Sequence, residues 1–172
     1  MPAHLPQTGE YNEYYQRYID LVSDLEIAEA FDSSGDAIEH YIKNVPAHRE
    51  NYAYGPGKWT IKQALQHVID TERIFQTRAL RVARNDATPQ PGFDQNLYAA
   101  QHGTLEHTNL KELLHEFKTV RESSRCLFAR FRESELTSQG VASDSNVSTR
   151  ALAYMIAGHA QHHANLYHER YK

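Results

Sequence analysis

Two histidines one helical turn apart, His159 and His163, stand in a segment whose other positions are mostly apolar, and they are the residues best placed to do chemistry. A spacing of four residues stacks two imidazoles on one helical face, about 6 Å apart, so that both rings reach a single ion. Leu152, Ile156, Leu166 and Arg170 share that face, which puts both rings within an apolar stripe. Buried imidazoles with unsatisfied nitrogens are costly, and a shared divalent cation removes the cost. Hydrogen bonds to backbone or water would do the same for ordinary core histidines.

Two ligands do not close a site, so a third must come from another helix. His67 is the best candidate, because on its own helical wheel it falls between Ile74 and Thr71, within the broad apolar arc. A boundary histidine facing solvent is the competing reading. The same wheel sets Glu72 among Ile61, Leu65, Val68 and Ala79, where a lone carboxylate needs a partner. That partner is either a ligating imidazole or an arginine from a neighbouring helix, the more frequent outcome in helical bundles. His4, His48, His102 and His107 fall in expected loops or at helix ends, and His162 and His168 lie off the centre of the last stripe, although His162 can border the site.

These side chains have to be positioned by helices. Apolar spacing of three and four residues recurs through four long segments, and no period-2 alternation bounded by a hairpin turn reads as a strand. A short Tyr-rich helix is expected over about 11–22, followed by a longer one through Ile27, Phe31, Ile38 and Val45 that Pro46 ends. Thr60-Ile61-Lys62-Gln63 reads as a capping box that opens the second long helix, with Trp59 before the cap as a hydrophobic staple. Asn109-Leu110-Lys111-Glu112 opens the third, and the last runs from near Ser148 almost to Lys172. Residues 85–106, with Pro89, Pro91, Gly92 and Gly103, are longer than a link between adjacent antiparallel helices needs and read as a crossover. The expected fold is all-α: one domain over residues 1–172, a four-helix bundle with a short extra N-terminal helix and a long crossover between the second and third bundle helices.

Composition narrows the function classes. With 18 Lys and Arg against 22 Asp and Glu, interspersed, the chain has no basic block that would bind nucleic acid. The start, Met1-Pro2-Ala3-His4-Leu5-Pro6, lacks the regions of a secretory signal. Residues 151–168 carry no formal charge, yet four histidines, Gln161 and Asn165 make them too polar for a membrane span. A single cysteine, Cys126, suits a reducing cytoplasm and is expected as a buried structural thiol.

The run Gly55-Pro56-Gly57-Lys58-Trp59-Thr60-Ile61-Lys62-Gln63-Ala64-Leu65-Gln66-His67-Val68-Ile69-Asp70-Thr71-Glu72-Arg73, followed by Arg78-Ala79-Leu80-Arg81, resembles the central motif of the DinB/YfiT-like metalloenzyme family. The ending Gly158-His159-Ala160-Gln161-His162-His163 through Glu169-Arg170-Tyr171 resembles that family's C-terminal histidine motif. The resemblance spans nearly the whole chain and rests on the joint order of Trp, helical His and late His-x-x-x-His. It implies a four-helix bundle, often a homodimer, with a metal on three histidines that correspond to His67, His159 and His163. Members of the family are described as metal-dependent hydrolases, and some relatives are thiol S-transferases or isomerases that use low-molecular-weight thiols.

Three neutral imidazoles leave a tetrahedral ion with one open position, the arrangement of catalytic zinc. The expected cofactor is therefore one divalent ion, zinc first and nickel next, since both suit imidazole. The expected function is a metal-dependent hydrolase of a small molecule. A transferase acting on a low-molecular-weight thiol is the alternative, because one cation effect generates either a hydroxide or a thiolate; a non-catalytic metal-binding bundle is the other. No catalytic residue or general base is assigned. The crossover is placed to cover the pocket, and Arg78 and Arg81 are candidates for an anionic substrate, against the usual fate of solvated arginines.

Overall fold

The capping residues read from the sequence open the long helices of the structure, a computed structural model that describes residues 2–101 and 103–172. Thr60 and Gln63 form a reciprocal capping box, as do Asn109 and Glu112, and Ser148 accepts from the amide of Ala151. The α-helices are α1 (Gln16–Ile19), α2 (Ile27–Lys43), α3 (Ile61–Ala83), α4 (Gln95–Ala100), α5 (Leu110–Phe128), α6 (Glu133–Leu136) and α7 (Thr149–Arg170). Met1 and His102 lie outside the described residues.

The bundle consists of α2, α3, α5 and α7. Side-chain pairings set its directions. Arg73 meets Glu116 and Gln76 meets Ser124, so α3 and α5 run parallel. Tyr154 donates to Leu25 O and Tyr41 stacks on Tyr167, so α2 and α7 also run parallel. The two pairs oppose one another: Tyr167 reaches Ile61 while His159 meets His67. Parallel neighbours cannot be joined by a tight turn, which is why residues 84–109 travel back along the bundle, carrying α4 on the way.

Helix α7 is buried on nearly every side from Thr149 to Ala160, whereas α3 and α5 keep one polar face. Two apolar clusters fill the interior, one around Phe31, Phe75, Leu152 and Ile156, the other around Ile38, Ile69, Phe117 and Ala160. Between them in sequence on all four helices lie polar buried residues: Ser34; Thr71 and Glu72; Arg121 and Ser124; and His159. A polar belt thus crosses the bundle at mid-height.

The Tyr-rich start is not one helix. Two 3-10 turns, Glu13–Tyr15 and Asp20–Val22, flank the single turn of α1. So short a segment has little helical stability of its own, and the packing of Tyr18, Ile19 and Val22 decides its path. It lies so close to α7 that a Cβ on Gly158 would meet the carbonyl oxygen of Tyr18 at 2.1 Å.

Two sequence expectations are corrected. Where nothing in the sequence read as a strand, the structure has an antiparallel hairpin, β1 (Gln139–Ala142) and β2 (Ser145–Ser148), turned by Ser143 and Asp144 at positive φ of 51° and 60°. Gln90 bridges to Ala142, tying the crossover to this hairpin. Cys126 is exposed, not buried. The buried positions of α5 include Leu113, Phe117, Val120, Arg121, Ser124 and Phe128, and Cys126 points away from that face.

Candidate metal centre

Helix α3 supplies His67 and helix α7 supplies His159 and His163, each at least nine-tenths buried. Nε2 of His67 stands 3.0 Å from Nε2 of His159, and one ring nitrogen from each of the three residues lies within 4.8 Å of the others. Ring centroids are separated by 4.8 Å for His67 and His159, 5.1 Å for His67 and His163, and 4.6 Å for His159 and His163. Around a tetrahedral zinc with bonds of about 2.0–2.1 Å, ligand nitrogens stand about 3.3 Å apart, within the range these three span.

Burial, and then the neighbouring imidazoles, lower the pKa of His159 and His163 well below the ordinary value, so both rings are neutral with lone pairs available. Nδ1 of His163 is buried without a hydrogen-bond partner. An orphaned imidazole nitrogen beside two more rings is expensive in an apolar core, and a divalent cation among the three relieves it. The donor set therefore fits a metal ion. Among the described residues no fourth His, Cys, Asp or Glu joins the group.

Neighbouring side chains fix the rings. Trp59 packs on His67 with centroids 4.8 Å apart, a role beyond the staple expected of it, and the Thr71 hydroxyl lies 3.5 Å from Nδ1 of His67. Tyr18 sets its ring against both His159 and His162, at 5.5 and 5.2 Å. Burial, with Tyr14 beside it, pushes the Tyr18 phenol up to about 12, so it stays protonated.

His67 and His159 also line a cleft of about 480 Å³ together with Tyr14, Tyr15, Phe75 and Phe93. The crossover, expected to cover the pocket, contributes Gly92 to Gln95 to its wall. Sequence reasoning missed Tyr14, Tyr15, Tyr18 and Ser143 as cleft residues; the cluster of tyrosines was the one signal that pointed there.

The remaining expectations divide. Glu72 does not approach the histidines: Arg121 holds it through Nε and Nη2 at 2.9 Å each, and Ser124 donates to it at 2.7 Å. Arg81 pairs with Asp86 outside the site, whereas Arg78 is buried against Phe75 and Ser143, both of which line the cleft. His40, His48, His107, His115 and His168 stand apart from the centre, exposed or at the surface ends of their elements.

No curated protein matches the chain in sequence. Among solved structures, YfiT from Bacillus subtilis, a probable metal-dependent hydrolase with an unusual four-helix bundle topology, superposes with a TM-score of 0.67. The two share 12% identity, over 92% of this chain and 86% of that one, a likeness of fold. The sequence profile of the DinB superfamily matches residues 30–166, a stretch that holds all three histidines. The chain belongs to the DinB superfamily.

Proposed function

We propose that the chain is a metal-dependent hydrolase acting on a small molecule in the aromatic cleft, with zinc or nickel held by His67, His159 and His163. One observation carries this reading: three buried imidazoles converge, two of them, His67 and His159, lining an open cleft, with no fourth protein ligand among the described residues. A closed structural site would show four ligands. When bound, a divalent ion supplies Lewis acidity, polarising a carbonyl and making bound water more acidic.

The protein's own part is orientation and exclusion of water. Trp59 and Thr71 hold the His67 ring, and Tyr18 holds that of His159. Tyr14, Tyr15, Phe75 and Phe93 offer apolar surface to the part of a substrate that does not react. The one carboxylate lining the cleft, Asp94, accepts from the amides of Asn96 and Leu97 and so serves as the cap of α4. Glu72 is held by Arg121. Neither is placed to act as a general base.

A panel of activated esters and amides, each tried with and without a thiol acceptor, tests the reading. Hydrolysis that scales with metal content, disappears with a chelator and is absent in His159→Ala is the expected result. Turnover only in the presence of a thiol acceptor would replace the hydrolase with a transferase. Fully metallated protein inert toward the whole panel would replace it with a binding bundle.

A further inference from the structure

From the wall of this cleft we infer that the substrate carries a carboxylate, and that Arg78 is the residue that anchors it. The inference builds on the proposed small-molecule site and adds the chemical class of its ligand.

On α3, His67, Thr71, Phe75 and Arg78 follow one another at spacings of four, four and three residues, and His67 and Arg78 differ by only about 20° around the helix. The first three line the cleft. Arg78, eleven residues or about 16 Å along the axis from His67, does not itself line the cleft but packs behind Phe75 and Ser143, which do. Its side chain leans back toward the helix N-terminus, as helical side chains do, which brings the guanidinium carbon 5.6 Å from the centre of the Phe75 ring.

Arg78 is only 4% exposed, yet among the described residues no carboxylate pairs with it. The other two buried arginines each have one: Arg121 has Glu72 and Arg150 has Glu10. Nη2 of Arg78 donates to Pro91 O at 2.7 Å and to the hydroxyl of Ser143 at 3.1 Å, which accounts for both of its hydrogens. Those partners come from the crossover and the hairpin turn, and Ser143 itself lines the cleft. The Nε and Nη1 donors are left with no protein partner among the described residues, on a guanidinium that touches Phe75 and Ser143. Burial lowers the Arg78 pKa, and Tyr15 offsets this only in part. A guanidinium remains a cation throughout the working range, so the missing partner is an anion.

The cleft then runs from the imidazoles of His67 and His159 past aromatic rings to Phe75 and Ser143, and the Arg78 guanidinium stands directly behind these two. A ligand that satisfies imidazoles and guanidinium is elongated, with a carboxylate at Arg78, an apolar middle on Phe75, Tyr15 and Phe93, and its reacting end toward His67 and His159. Asp94 does not oppose this, because its carboxylate faces the amides it caps.

The test uses a short series of ω-phenylalkanoates as probes, each paired with its neutral amide, and titrates them calorimetrically into the full-length protein with and without added zinc. The acid is expected to bind about tenfold tighter than its amide, in both metal states, as charge-assisted pairing with a desolvated arginine predicts. Arg78→Met should bring the ratio to about one, and Arg78→Lys should restore part of it. Taking the ratio within each variant separates lost recognition from lost stability, and Ser143→Ala, which leaves the charge in place, should keep the preference. Equal affinity for acid and amide, a preference that survives in Arg78→Met, or binding of neither probe by the wild type would each overturn the anchor. Because the preference is read without turnover and without metal, it can stand where hydrolysis fails, and it can fail where hydrolysis stands.

Discussion

At the scale of single residues, the polar belt holds two groups of buried charge and imidazole that are satisfied in different ways. Glu72 and Arg121 satisfy one another, and Arg121 spends Nη1 on Phe31 O and the Ser34 hydroxyl. Glu72→Ala would strand a buried guanidinium and should cost about 3–5 kcal/mol in denaturant unfolding. Replacing both partners, Glu72→Leu with Arg121→Met, should recover most of that loss, and metal content should be unchanged in either variant; a loss of metal would make Glu72 a partner of the histidines after all. The histidine group is not satisfied in this way throughout, since Nδ1 of His163 is left without a hydrogen-bond partner. This distinction was half legible in the sequence. Wheels placed His67, His159, His163 and Glu72 on inward faces, because helical period and apolar neighbours decide that. Which partner Glu72 takes depends on the register of α3 against α5, to which no local pattern testifies. Arg78 was named with Arg81 as a candidate for an anion, but which of the two lacks a carboxylate was hidden for the same reason, since Pro91 and Ser143 reach Arg78 from distant loops. Cys126 was misread because a type that is usually buried was given precedence over its own helical phase.

At the scale of elements, capped helices were readable and short, packing-driven pieces were not. The Thr60 and Asn109 boxes are local chemistry and appear where the residues stand. The β1–β2 hairpin has four-residue strands, little alternation and two non-glycine residues at positive φ, so its backbone pairing left no side-chain signature. The broken N-terminal helix likewise follows the groove that Gly158 opens on α7. Gly158→Ala should push the Tyr18 carbonyl away, destabilise the fold by about 1–3 kcal/mol or more, and loosen Tyr18 from His159. Hydrogen exchange should then quicken in residues 13–22 before it does in the rest of α7; uniform exchange across both would contradict this packing.

At the scale of the whole molecule, two parallel helix pairs set against one another explain both the long return between α3 and α5 and the cleft that this return walls. The N-terminal segment is fastened to the same assembly by Glu10, which accepts from Arg150 and from Ser148 at 2.7 Å. Burial alone would raise the Glu10 carboxyl, but hydrogen bonds from Arg150 and Ser148 outweigh it and hold the pKa below its usual 4.5. A carboxylate with a depressed folded pKa stabilises above the unfolded value and loses that contribution as pH falls through the folded one. Unfolding followed from pH 7 downward should therefore show stability declining below about 4.5, less steeply in Glu10→Gln; parallel profiles would dismiss the fastening. The account as a whole turns on whether three imidazoles from α3 and α7 hold one ion. Elemental analysis of protein purified without a histidine tag measures that directly. The expected result is one divalent ion per chain in the wild type and in His107→Ala, with occupancy sharply reduced in His163→Ala; equal occupancy in the two variants, or no stoichiometric metal in the wild type, would contradict it.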